Sequence, residues 1–101
     1  MRLAGKVAVV TGGGSGFGAG IVRKFVAEGA KVVVADRNGE AAQAVAGALG
    51  DAALAVTADV TRADDVRAML DAAERHFGDL DILVNNAGMG HLPQPMEEVE
   101  E

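Results

Sequence analysis

A cluster of glycines between residues 11 and 18 is the first feature of this sequence that could do chemistry. It reads Thr11-Gly12-Gly13-Gly14-Ser15-Gly16-Phe17-Gly18 and follows the apolar run Val7 to Val10. Glycine lacks a Cβ and tolerates positive φ, so the backbone can approach a ligand closely. A helical pattern follows at once, and the first turn of a helix offers free N–H groups and a positive dipole end. Strand, glycine turn and helix together favour a bound pyrophosphate.

Other interpretations of the glycine cluster are weaker. A phosphate loop of the GxxxxGK[ST] type is excluded, because no Lys-Ser or Lys-Thr follows the glycines. The dinucleotide fingerprint GxGxxG/A fits only loosely, as Gly14-x-Gly16-x-x-Ala19. A glycine-rich turn that binds nothing remains the alternative until other motifs are considered.

An acid lies where a dinucleotide site needs one. Asp36 ends the second apolar run, eighteen positions after Gly18, and an acid at about this distance binds the adenosine ribose hydroxyls. Its charge would repel a 2′-phosphate. Arg37 could instead clamp a 2′-phosphate with two hydrogen bonds. We expect NAD rather than NADP, because Asp36 holds the strand-end position; the alternative is an ordinary polar residue at the end of a strand.

Two further polar motifs follow apolar runs. Asp59, followed by Val60, ends the third run, and its chemistry alone fits a ligand contact or an acid before a helix equally well. Asn85-Asn86-Ala87-Gly88 follows the fourth run. Amide side chains at this position can tie neighbouring loops together, while Gly88 leaves room for a cofactor ribose.

Four short apolar runs alternate with helical patterns and must position these residues. None of the runs alternates polar with apolar residues, so each is expected to be buried on both faces, as in a parallel sheet covered by helices. The pattern predicts successive right-handed βαβ units and the strand order 3-2-1-4. The runs are Val7 to Val10, Val32 to Ala35, Ala53 to Val56 and Ile82 to Val84.

Three helices are predicted between these strands. The first runs from about Gly18 to Glu28, with Gly29 as its stop. The second opens at Asn38 as N-cap and ends by Gly50. The third begins at a variant capping box, Thr61-Arg62-Ala63-Asp64, and stops at Gly78.

Taken in order, these motifs resemble those of the short-chain dehydrogenase/reductase family, across essentially the whole chain. The resemblance implies a Rossmann-type doubly wound parallel α/β sheet, with residues 1–101 as one dinucleotide-binding domain. It also implies hydride transfer between a nicotinamide cofactor and an alcohol or ketone, and it favours an adenine contact for Asp59. The cofactor-binding residues implied are Gly12, Ser15, Gly16, Phe17, Gly18, Asp36, Arg37, Asp59, Val60, Asn86, Ala87 and Gly88.

The catalytic residues of the resembled family cannot be carried over to this sequence. That family uses a Tyr and a Lys four residues apart, with a Ser and a further Asn, beyond the fourth strand. This sequence has no Tyr, and its lysines, Lys6, Lys24 and Lys31, all precede that region. We expect the N-terminal, cofactor-binding half of an oxidoreductase; the alternative is a stand-alone dinucleotide-binding module without chemistry.

The amino-acid composition excludes several classes of binding partner. The net charge is −6 and the pI about 4.8, with no visible basic patch, so neither nucleic acid nor an anionic membrane is an expected partner. The absence of cysteine excludes disulfides, and no residue spacing suggests a metal site. His76 and His91 are interpreted as structural or loop residues. We expect a cytoplasmic protein with a small-molecule substrate, which as a whole chain forms a homo-oligomer, specifically a homotetramer.

Overall fold

A parallel four-stranded sheet organises the fold. The computed structural model describes residues 2–14 and 16–86. The strand order is β3-β2-β1-β4 and every neighbouring pair is parallel, which confirms the predicted fold and strand order. The elements are β1 (Val7–Thr11), α1 (Gly16–Ala27), β2 (Lys31–Asp36), α2 (Gly39–Leu49), β3 (Ala53–Thr57), α3 (Ala63–His76) and β4 (Ile82–Asn85), with a short 3₁₀ turn at Gly50–Ala52.

Helices cover both faces of the sheet, as predicted. On one face, side chains of α1 and α2 pack on alternate residues of the strands, with Val22 and Ala42 fully buried against Val10, Val32 and Val34. On the other face, Met69 and Ala73 of α3 pack on Val9 and Val33. The central strands β1 and β2 are therefore enclosed, which explains their continuous valine-rich sequences.

The prediction that every strand is buried on both faces is wrong for the two edge strands. Residues 53–56 of β3 are only half-buried. In β4, Val84 is 1% exposed, whereas Leu83 is 46% exposed. Leu83 pairs with Val9 and therefore shares the face that α3 covers. The reason is geometric, because α3 packs mainly over β1 and β2.

The helix ends follow the predictions except at the start of α1 and at the N-terminal cap of α3. α1 begins at Gly16, two residues earlier than predicted, and Asn38 caps α2 by accepting a hydrogen bond from the Ala41 N–H. The predicted capping box at Thr61 is wrong. Arg62 occupies the N-cap of α3 and makes no side-chain capping bond. The N-cap position falls one residue later than predicted, and the Thr61 hydroxyl donates to the Asp59 carboxylate.

Candidate functional site

The predicted ligand residues gather at the edge where the parallel strands end. In the sheet register, Thr11 lies beside Ala35 of β2 and Asn85 of β4, and Asp36 lies beside Thr57 of β3. The segments that follow these residues are the glycine loop, the start of α2, residues 58–62 and Asn86. Open α/β sheets bind ligands at this carboxyl edge, where the connections diverge.

The glycine loop has one open position and one crowded position. Gly16 has φ +51°, and a Cβ built on it would meet no atom within 4 Å, so space lies in front of the first turn of α1. A Cβ on Gly18 would instead overlap the Gly12 carbonyl and lie 2.7 Å from Asn86 Nδ2. Phe17, between them, is 66% exposed. The first residue of α1 therefore lies beside open space, while Gly18, two residues later, packs tightly on Gly12 and Asn86.

Asn86 ties β4 to the glycine loop. Its side-chain Nδ2 donates to the Gly12 carbonyl at 3.2 Å, and its backbone N–H donates to the Thr11 hydroxyl at 2.9 Å. The Thr11 hydroxyl also lies 3.2 Å from both the Val84 carbonyl and Asn85 Oδ1. Thr11 is 2% exposed, so these bonds satisfy a buried polar group and fix the distance between the first and fourth loops.

Asp36 joins the glycine loop to the start of α2. Its Oδ2 accepts the Gly14 N–H at 2.9 Å, and its Oδ1 accepts the Asn38 N–H at 3.0 Å. The side chain is half-buried at the carboxyl edge, in the place expected for a ribose contact. Arg37 is exposed beside it, and its positive charge acts on Asp59 of the neighbouring loop.

Asp59 is held as a carboxylate by its own loop. Its Oδ1 accepts hydrogen bonds from the Thr61 hydroxyl at 2.6 Å and the Thr61 N–H at 2.9 Å. These two bonds lower the pKa of Asp59 below its ordinary value, and the charges of Arg37 and Arg62 act in the same direction. Val60, the next residue, is half-buried in the same loop.

Asp65 is a site residue that the sequence analysis missed. Its Oδ2 accepts the backbone N–H of Asp59 at 2.9 Å, and it is half-buried. Its neighbour Asp64 is instead a solvated surface residue, with a side chain that is 86% exposed and lies 3.8 Å from Arg67. The signal in the sequence was the spacing, since an acid six residues after Asp59 lies in the first turn of α3, where it can reach back to the loop.

The remaining predicted residues are partly outside the described part of the chain. Ser15, Ala87, Gly88 and His91 lie outside the described residues. His76 is exposed at the end of α3 and makes an edge-to-face contact with the Phe77 ring, with centroids 4.7 Å apart. Across residues 2–14 and 16–86, no cluster of acids and histidines could hold a metal ion, and no helix is long and apolar enough to span a bilayer.

Comparison with known proteins assigns the family. The family model described as short chain dehydrogenase matches residues 6–101. L-fucose dehydrogenase of Bos taurus is 50% identical over 97 residues, a match that covers 96% of this chain and 36% of the relative. The chain therefore belongs to the short-chain dehydrogenase family.

Solved structures agree with this assignment. The 3-ketoacyl-(acyl-carrier-protein) reductase of Brucella melitensis, crystallised with NADH, superposes with a TM-score of 0.85 at 57% identity, covering 94% of this chain and 39% of that one. A hydroxysteroid dehydrogenase of Escherichia coli gives 0.83 at 40% identity, covering 96% of this chain and 42% of that one. The chain thus spans less than half the length of these relatives.

Proposed function

We propose that this chain is the NAD(P)-binding domain, residues 1–101, of an oxidoreductase that transfers hydride between a nicotinamide and an alcohol or ketone. The observation that carries the proposal is the convergence of four loops at the carboxyl edge of the sheet. There Gly16 leaves open space in front of a helix N-terminus, Asp36 and Asp59 follow two neighbouring strands, and Asn86 follows the fourth strand. Family membership and the NADH-bound relative support the same cofactor class.

Each part of the cofactor has residues that fit it. The pyrophosphate fits the open space at Gly16, where free N–H groups and the helix dipole favour an anion. Asp36 fits the adenosine ribose, and Asp59 with Val60 fits the adenine ring. Asn86 stands on the side of the nicotinamide ribose. The complete proposed set is Gly12, Ser15, Gly16, Phe17, Gly18, Asp36, Arg37, Asp59, Val60, Asn86, Ala87 and Gly88.

Within this proposal the cofactor is NAD rather than NADP. The Asp36 carboxylate would lie against a 2′-phosphate, and like charges at that distance repel by a few kcal/mol, about 4 kcal/mol at 4 Å with an effective dielectric of 20. Arg37 is exposed, whereas Asp36 is half-buried at the strand end, so Arg37 is expected to be the weaker determinant of selection. NAD is therefore expected to bind more tightly than NADP.

Replacement of Asp36 tests this selection. Asp36→Ala is expected to weaken NAD binding and to reduce the difference in affinity between NAD and NADP. The variant loses both a hydrogen-bond partner of the ribose and the charge that repels a 2′-phosphate. Calorimetric titration of the wild type and of the variant with NAD and with NADP measures this difference in affinity for each protein. Tighter binding of NADP by the wild type would show that Arg37 governs selection.

The chemical step would require residues that this sequence does not supply. It contains no Tyr, and Lys6 and Lys31 lie at the opposite edge of the sheet, where β1 and β2 begin. Lys24 lies in the last turn of α1, paired with Glu28. This observation also favours the second candidate, a dinucleotide-binding module without chemistry. Reduction of NAD by the intact protein with any of a panel of secondary alcohols selects the enzyme; binding without turnover selects the module.

The proposal extends to the whole protein. It is a cytoplasmic homo-oligomer, specifically a homotetramer, acting on a small molecule. Support comes from the absence of cysteine and from Leu83, a large apolar side chain that is 46% exposed on β4 and suited to burial against further structure. Light scattering on the purified intact protein measures the assembly, and a monomer would refute this part.

A further inference from the structure

The Asp36 carboxylate is bonded to the backbone on both sides. One oxygen accepts the Gly14 N–H of the glycine loop and the other accepts the Asn38 N–H at the start of α2. Asn38 in turn caps α2 by accepting the Ala41 N–H at 3.1 Å. A single side chain therefore joins the end of β2, the glycine loop and the first turn of α2.

The glycine loop has few other attachments around Gly14. The Gly13 N–H donates to the Ala35 carbonyl at 3.1 Å. Gly14 itself lies against the first turn of α2, where an added Cβ would come within 2.8 Å of the Ala42 nitrogen. Two residues later the chain reaches Gly16, whose surroundings are open. The Asp36–Gly14 bond is thus a side-chain contact two residues before the space proposed for the pyrophosphate.

A carboxylate can accept more hydrogen bonds than these two. Its two oxygens offer about four acceptor sites, and the two backbone N–H groups use half of them. The remaining sites could accept both hydroxyls of an adenosine ribose without breaking either backbone bond. Swinging the carboxylate aside to admit a 2′-phosphate would, in contrast, break both.

We propose that Asp36 is a positioning residue for the phosphate-binding loop, in addition to any contact that it makes with the ribose. This inference rests on the proposed cofactor site. Asp36 holds the Gly14 N–H and thereby sets the position of the loop relative to α2. Its contribution to affinity then extends to ligands that have no ribose hydroxyls at all.

A ligand without those hydroxyls separates the two roles. The probe is 2′,3′-dideoxyadenosine 5′-diphosphate, which keeps the adenine and the diphosphate. The variants are Asp36→Asn and Asp36→Ala in the intact protein. Both remove the negative charge, but only the Asn side chain keeps an oxygen that can accept the Gly14 N–H. We expect Asp36→Ala to bind the probe about five- to tenfold more weakly than Asp36→Asn, the loss expected for one hydrogen bond.

Asp51→Ala is the control for the loss of one carboxylate away from the proposed site. Asp51 is exposed in the 3₁₀ turn before β3, at the opposite edge of the sheet, and its loss should leave probe affinity within twofold of the wild type. Equal affinities of Asp36→Ala and Asp36→Asn for the probe would overturn the positioning role and leave Asp36 with ribose recognition alone.

A second measurement needs no variant. Hydrogen exchange of the ligand-free wild type should show the Gly14 amide exchanging at least about tenfold more slowly than in an unstructured peptide, because it is bonded to Asp36. An unprotected Gly14 amide would refute the inference even if Asp36→Ala did not fold. Failure of the wild type to bind NAD would refute the proposed function instead, and the Gly14 amide would still decide whether the bond holds the loop.

Discussion

Gly18 and Gly20 lie two residues apart on α1, yet their surroundings are opposite. A Cβ at Gly18 would overlap the Gly12 carbonyl and press on Asn86, whereas a Cβ at Gly20 would meet nothing within 4 Å. Gly18→Ala should therefore destabilise the fold by about 1–3 kcal/mol through overpacking. Gly20→Ala should stabilise it by about 0.5–1 kcal/mol, because alanine is the better helix former. Denaturant unfolding measures both, and equal effects at the two positions would contradict the close contact between α1 and β1.

The charge state of Asp59 offers a second test at the scale of single residues. The Thr61 hydroxyl is the largest cause of its lowered pKa. Thr61→Val removes this hydroxyl and keeps the Thr61 N–H, so the pKa of Asp59 should rise towards its ordinary value without reaching it. Carboxyl NMR titration measures the change, and Thr57→Val, in which the exposed Thr57 at the end of β3 is replaced, is the control. An unchanged pKa of Asp59 would show that the hydroxyl does not hold the carboxylate.

The lowered pKa also fixes the direction of a pH effect. Because Asp59 binds its proton more weakly in the folded protein than in the unfolded chain, its bonds to Thr61 add stability above the ordinary pKa of an Asp. That contribution is lost as the pH falls through the lower, folded value. Thr61→Val should therefore show a smaller loss of stability on acidification than the wild type.

Single residues were predictable from sequence where a strand end determines their position. Asp36, Asp59 and Asn86 were identified because each follows an apolar run, and parallel strands bring such positions to one edge. The role of Asp65 was not predictable in the same way, because its partner is the Asp59 backbone N–H and depends on how the loop folds back. The Asp36–Gly14 bond is similar, since nothing in either residue type requires it.

At the scale of elements, the loops before α2 and α3 explain why one predicted helix cap forms and the other does not. Asn38 caps α2 as predicted, because Asp36 two residues earlier accepts only the Asn38 backbone N–H and leaves the Asn38 side chain to accept the Ala41 N–H. Thr61 was expected to cap α3, but Asp59 two residues earlier captures its hydroxyl and its N–H. Local competition of this kind is common for Ser, Thr, Asn and Asp, whose side chains bond nearby backbone.

The acidic pair at the start of α3 provides a matched test of this loop. Asp65→Ala should destabilise the protein by about 1 kcal/mol, because the Asp59 N–H loses its acceptor. Asp64→Ala should change stability by less than about 0.5 kcal/mol, because its pairing with Arg67 is exposed to solvent. Thermal unfolding of both variants compares them. Equal losses would mean that the two acids act only through the helix dipole.

At the scale of the whole molecule, the described sheet gathers the predicted ligand residues at its carboxyl edge and leaves Leu83 of the edge strand β4 exposed. Strand order and layers were predictable because β1 and β2 are apolar throughout and the helices carry clear apolar stripes. The exposure of Leu83 was not, since burial of an edge strand depends on what packs beside it. Valine-rich runs predict strands at the centre of a sheet, but they do not predict how many strands lie beside them.

Dehydrogenase activity is expected only of the intact protein. Residues 1–101, made as a separate polypeptide, should show no dehydrogenase activity, because general acid–base catalysis needs a titratable group at the substrate oxygen, and Asp36 and Asp59 lie at the adenosine end of the proposed site. Nicotinamide absorbance with secondary alcohols and ketoacyl thioesters measures this, with the intact protein as control. Turnover by the separate polypeptide would point to a base outside this account.

We expect a dinucleotide to bind in front of Gly16, and calorimetric titration of the intact protein with NAD measures this binding. Gly16→Val fills the open space, whereas Gly5→Val places the same side chain at another open position, also of positive φ, in the turn before β1. Each substitution carries a similar backbone strain of about 1–3 kcal/mol. A difference in NAD binding between the two variants therefore reports the blocked site and not the strain. Saturable binding by the wild type and by Gly5→Val, with none by Gly16→Val, is the predicted result. Unchanged NAD affinity in Gly16→Val, or no binding of NAD or NADP by the wild type, would contradict the account.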